Sequence, residues 1–227
     1  MLLIGFKQLV MNHSFKNIQG VYYIVEMTFI LSFDIGIKNL AYCYSRDEHI
    51  LKWNVFDIKG DSVNETCEKC VRVLYETFNG DQVDQVLIEN QPVQKNPTMK
   101  TIQIVVYTFF MYQKVVGSND KSKINFISAN RKNKFAEKFK FDIECKTKYQ
   151  RNKKMAIACA KQLVEHTTWE AHFNGHKKKD DLADSYLQTL AFINYEPVLP
   201  NPPAPLMDGD NSSTSSTTQT EIFLSSS

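Results

Sequence analysis

Four carboxylates in this chain stand where a hard divalent cation could be held by oxygen alone. Asp34 closes the apolar run of TFILSFDIGIKN, and Glu89 closes a second in VDQVLIEN. Asp181 and Asp184, with Asp180 beside them, open the helical pattern of KKKDDLADSYLQTLAFI. Residues three or four apart on a helix share a face, so Asp181 and Asp184 project together. Acids crowded into one turn repel unless a cation or basic group offsets them. Each piece also has a plainer reading: an Asp opening a turn, a surface Glu, acids favoured by the dipole at a helix N-terminus. Taken in order along the chain, they gather negative charge at one end of a sheet. Such a set can hold two Mg²⁺ ions and support phosphodiester hydrolysis. No Ser–His–Asp, Cys–His or P-loop arrangement competes with this reading.

The elements that must position these acids follow from periodicity. Residues 28–33, 41–45 and 50–58 read as strands whose short connections favour antiparallel pairing. A helix is expected over 62–78 with Ser62 as its N-cap, then a strand over 83–89. A helix over 97–116 accepts Pro97 in its first turn. A strand over 124–128 and helices over 146–166 and 180–193 complete the order. An α/β fold accounts for this plan: a mixed five-stranded sheet flanked by helices, with an antiparallel hairpin at one edge and helix-connected parallel strands at the other. In that arrangement Asp34 and Glu89 sit at the sheet end where open α/β folds bind ligands. Gly36 permits a close backbone approach just after Asp34. The helix over 97–116 is apolar on more faces than one sheet contact requires, so a second subunit is expected to cover its outer side, with Val106 or Phe110 at the contact.

Composition sets the broad class. The chain has 227 residues, 43% apolar and 23% charged, which suits one globular domain with a tail. Residues 1–26 carry no clear motif and read as an N-terminal extension, with Met27 opening the working domain over 27–195. Residues 196–227, rich in Pro and then Ser/Thr, read as a disordered tail. The net charge of +2 is unevenly spread. Residues 121–154 hold twelve Lys/Arg against three acids, about +9, which leaves about −7 elsewhere. A basic block in a near-neutral chain suits a polyanion, and Lys132, Lys134, Arg151, Lys153 and Lys154 are its candidate phosphate contacts. Tyr149, Phe135, Phe139 and Phe141 lie among them and read better as core than as base-stacking groups. Five cysteines are odd in number and include one CxxC (Cys67, Cys70) without a matching pair, so neither a disulfide framework nor a zinc site is expected. His166, His172 and His176 have no metal-ligand spacing. No signal peptide is evident, and the apolar stretch around residues 101–116 is too short and polar for a membrane span. A soluble intracellular protein is expected.

FDIGIKNLAYC, LIENQP and KKKDDLADSYLQ together resemble the motifs of the RuvC-like Holliday junction resolvases, in the branch of poxviruses and other large DNA viruses related to yeast mitochondrial resolvases. The resemblance runs from Thr28 to Tyr195. It implies an RNase H-like fold, a homodimer, Mg²⁺ or Mn²⁺, and symmetric nicking of four-way DNA junctions, in the host cytoplasm or at a viral replication site if the protein is viral. It carries the catalytic acids over to Asp34, Glu89, Asp181 and Asp184, with Asp180 auxiliary. It also implies a lysine between the Glu and the last Asp pair, for which Lys132 and Lys134 are candidates. Two alternatives stand beside it: an actin-like or sugar-kinase-like ATPase, suggested by the Asp-x-Gly turn, and a non-catalytic junction-binding protein on the same fold.

Overall fold

The structure is a computed structural model that describes residues 13–18, 21–94, 96–117 and 121–193. The expected tail over 196–227 lies outside the described residues. The elements are β1 (His13–Ile18), β2 (Val21–Glu26), β3 (Phe29–Asp34), β4 (Leu40–Arg46), β5 (His49–Phe56), α1 (Val63–Phe78), β6 (Gln85–Glu89), α2 (Pro97–Val116), β7 (Lys123–Ile127), α3 (Ala129–Glu137), α4 (Lys148–Val164), α5 (Glu170–Gly175) and α6 (Lys179–Ile193). β1 and β2 pair antiparallel as a two-stranded sheet of their own. The main sheet has the order β5-β4-β3-β6-β7. β3, β4 and β5 are antiparallel neighbours, while β6 runs parallel to both β3 and β7. This is the mixed five-stranded sheet that the periodicity predicts.

Strand alternation divides the core between the two faces. Leu31 and Phe33 of β3 and Val86 and Ile88 of β6 point to one face, against Leu74 and Phe78 of α1 and Ile102, Val106 and Phe110 of α2. Cys43 and Trp53 point to the other, against Met155 and Cys159 of α4 and Leu182, Ala183 and Leu187 of α6. Side-chain caps start the helices, at Ser62 as expected and at Asn96 and Thr147 beyond the expectation. The side chain of Ser62 accepts from Glu65 N, that of Asn96 from Met99 N, and that of Thr147 from Gln150 N. Gly36 is required by space, because a Cβ there would stand 2.4 Å from the Asn39 carbonyl oxygen.

Three features go beyond the sequence expectation. The β1–β2 hairpin forms within the extension. α5 is a single short helix of six residues. α3 arises in the segment read only as a basic face: Ser128 caps it, its side chain accepting from Asn130 N, and Ala136 is buried against α4 and α6. The outer side of α2 also needs correction. Val106 and Phe110 both face the intramolecular core, and the exposed apolar residues of that helix are Ile104, Tyr112, Val115 and Val116. Among the described residues, no helix is long and apolar enough to cross a membrane.

Candidate active site

Register brings the first two acids level. β3 and β6 pair in parallel up to Phe33 and Ile88, so the next residues, Asp34 and Glu89, end adjacent strands at the same height. Alternation turns both away from the Phe33–Ile88 face and toward α6. Asp184 reaches them because α6 is locked across the same two strands: the Gln188 side-chain amide donates to the carbonyls of Phe33 (3.1 Å) and Leu87 (3.3 Å). Gln188 lies four residues after Asp184 and so on the same stripe. At the start of α6, the Trp53 indole donates to the Leu182 carbonyl at 3.0 Å, and Ala183 is fully buried, which keeps that turn close to the sheet.

A lysine stands at the focus of these acids. Glu89 pairs with Ile127 at the end of β7, Ser128 caps α3, and the first turn of that helix delivers Lys132. Its ammonium lies 2.5 Å from Glu89 Oε2, 2.8 Å from Asp184 Oδ2 and 3.4 Å from Asp34 Oδ1, with only 6% of the side chain exposed. Of the two candidate lysines, Lys132 therefore joins the acids and Lys134 stays exposed on the surface. Lys132 is thus buried, not exposed as charge counting suggests.

The electrostatics follow from burial and this cation. Burial pushes the Asp34 carboxyl well above its ordinary value; Lys132 opposes the rise, and the charges of Glu89 and Asp184 add to it. For Glu89, burial also works upward, but Lys132 and hydrogen bonds to Asp34, Lys132 and Gln91 leave it below the usual range. Burial raises Asp184 despite Lys132. Burial likewise works to neutralise Lys132, yet the three carboxylates keep it firmly charged. The Lys132 charge thus binds the three acids together.

Asp181 lies just outside this cluster. Burial and the neighbouring Asp180 charge push its carboxyl up to about 6, against Lys153 and Lys178. Its Oδ2 is buried with no hydrogen-bond partner. Asp180 points elsewhere: Lys153 grips it at 2.5 Å and holds it below the usual carboxylate range despite burial. Lys153 also stands 5.1 Å from the Tyr149 ring centre, so it is engaged within the protein, whereas Arg151 and Lys154 are exposed. Below Glu89, the Gln103 side chain accepts from Gln91 N at 2.7 Å and from Lys100, and Lys100 also reaches Asn90. The signal for Gln188 and Gln103 lies in the sequence as amides within otherwise apolar helix faces.

The donor set suits a hard cation. Asp34, Glu89 and Asp184 offer only carboxylate oxygen, they already converge on one positive charge, and Asp181 Oδ2 has no partner. Among the described residues, no group of three His, Cys, Asp or Glu side chains is arranged as a metal site; Asp34, Glu89 and Asp184 close on the Lys132 ammonium. All five cysteines are free thiols.

The chain resembles known proteins at three levels. A model of the poxvirus A22 protein family matches residues 28–195. An uncharacterized protein, L451, of Acanthamoeba polyphaga mimivirus is 30% identical over 128 residues. That match covers 50% of this chain and 29% of the relative, so the chain spans under a third of its length. Among solved structures, the yeast mitochondrial Holliday junction resolvase Ydc2 aligns with a TM-score of 0.54 at 17% identity, over 74% of this chain and 80% of that one. The fowlpox virus resolvase, solved with Holliday junction DNA, aligns at 0.49 and 22% identity, over 74% and 98%. The yeast likeness identifies the fold as RNase H-like.

Proposed function

Because the chain belongs to the poxvirus A22 protein family, we propose that it is a structure-selective DNA endonuclease that resolves four-way (Holliday) junctions and other branched DNA by metal-dependent, paired nicking. The observation that carries this reading is the meeting of Asp34, Glu89 and Asp184 on one cation at the ends of adjacent parallel strands. Family membership also speaks against the ATPase alternative, and the retained acids speak against a purely structural junction binder.

The acids Asp34, Glu89, Asp181 and Asp184 are the residues that would hold the ions. Two Mg²⁺ ions, or Mn²⁺, would supply an activated water and a stabilised 3′-oxygen leaving group for an in-line displacement at phosphorus. The rest falls to the protein. Gln188 fixes α6 on β3 and β6, so Asp184 faces Asp34 and Glu89 without reorganisation. Lys132 places a positive charge beside the reacting phosphate and favours the ionised form of the acids. Lys153 holds Asp180 aside, an auxiliary role at the start of α6. Lys134, Arg151 and Lys154 grip the backbone of the junction arms.

We assign residues 27–195 as the catalytic unit, with 1–26 as an extension and 196–227 as a tail. The family match over 28–195 supports this division. A homodimer fits a substrate with two-fold symmetry, since a C2 pair presents two identical sites to two strands. The host cytoplasm or the viral replication site is the place of action. The test is incubation of the protein with a labelled four-way junction and with linear duplex of the same arms, in Mg²⁺ and in EDTA. Paired nicks on the junction in Mg²⁺ alone are expected. An uncut junction, or equal cutting of linear duplex, would refute the proposal.

A further inference from the structure

We propose that Lys132 is an internal counter-cation that competes with divalent metal for Asp34, Glu89 and Asp184, and so sets how tightly the acidic site takes its ion. The inference rests on the metal-dependent reading above and adds a determinant of metal affinity to it. An ammonium has three N–H donors, and here the three carboxylates take all of them. The lysine reaches this point on a rigid path, since β7 pairs with Glu89 at its last residue and α3 starts two residues later. Its side chain is almost fully buried, so its charge has no solvent to retreat to without moving α3. The same oxygens cannot satisfy the ammonium and a divalent ion in full, and the two positive charges repel at this range. Lys132 therefore does two things. It keeps the acids assembled before an ion arrives, and it lowers the affinity for that ion below what the acids alone would give. Lys134, two residues on and exposed, shares the local composition but does not touch the acids, which makes it the control.

The full chain and its Lys132→Met and Lys134→Met variants are titrated with MnCl₂ by calorimetry, and their thermal unfolding is followed in EDTA and in Mg²⁺. Lys132→Met should bind Mn²⁺ about tenfold more tightly than wild type, where a factor of ten corresponds to one modest electrostatic contact. It should also melt below wild type in EDTA and gain more from Mg²⁺. Lys134→Met should match wild type in both. Equal or weaker Mn²⁺ binding by Lys132→Met overturns the inference. Where that variant fails to fold, ¹⁵N spectra of the wild-type lysine ammonium groups decide: a buried ammonium signal displaced by saturating Mg²⁺ supports competition, and one left unchanged overturns it. The two proposals fail separately. Wild-type nicking with unaltered Mn²⁺ affinity in Lys132→Met rejects only the competition. Tighter Mn²⁺ binding in that variant, with no nicking by wild type, rejects only the reaction.

Discussion

Asp181 shows the conflict between charge and fold at the scale of one residue. A carboxyl whose value rises on folding takes up a proton as the chain folds, so its ionised form destabilises the native state. With a folded value of about 6 against an ordinary 3.8, that penalty begins near pH 4 and is complete above pH 6. Asp181→Asn should therefore be more stable than wild type at pH 7.5 in EDTA, by on the order of 1–2 kcal/mol after solvent screening. The gain should vanish by pH 4, while nicking is lost. Thermal melts at the two pH values check this; a variant less stable than wild type at pH 7.5 would refute it. The acids were legible in the sequence because each closes an apolar run or opens a helix. The place of Lys132 was not, because a count of basic residues does not distinguish a cation turned inward from its neighbours in the same segment. Only the register of β7 against Glu89 and the cap at Ser128 fix that direction.

At the scale of elements, α6 and its anchor determine whether the acids meet. Gln188→Leu removes both bonds to the strand carbonyls and leaves those acceptors buried. A loss of roughly 1–3 kcal/mol is expected from chemical denaturation, with a larger proportional loss of nicking than of junction binding. Unchanged stability would mean that α6 is held by its apolar packing alone. On the proposed function, the outer surface of α3 and α4 would carry the DNA grip. Charge reversal at Lys134, Arg151 and Lys154 should weaken junction binding and lower the log–log salt slope by about 0.9 for each phosphate that is no longer neutralised. An unchanged slope would put the DNA path elsewhere. The strand order and the long helices were readable because their periodicity is strong. α3 was not, because ANRKNKFAE is short and polar and becomes a helix only through its cap and the packing of Ala136 on α4 and α6.

For the whole molecule, α1 and α2 leave an open apolar face. Cys67, Val71, Tyr75 and Val105 line a groove of about 680 Å³ between them, and Ile104 and Tyr112 of α2 are 44% and 64% exposed. A partner subunit on this face would bury it, so Ile104→Glu or Tyr112→Glu should give monomers in light scattering where wild type gives dimers. A monomeric wild type that still cuts both strands symmetrically would refute the dimer. The excess of apolar residues on α2 was visible in the sequence but not which side is free, because Val106 and Phe110 are as apolar as the residues left outside. The proposed function turns on one point: the clustered carboxylates perform the cut and do not create the DNA affinity. Binding and cutting of one four-way junction, measured in the same Mg²⁺ samples for wild type, Glu89→Gln and Asp184→Asn, decide it. Paired nicks are expected from wild type alone, with both variants binding the junction nearly as tightly and leaving it intact. Cutting by either variant at a rate close to wild type would show that these carboxylates are not the catalytic groups.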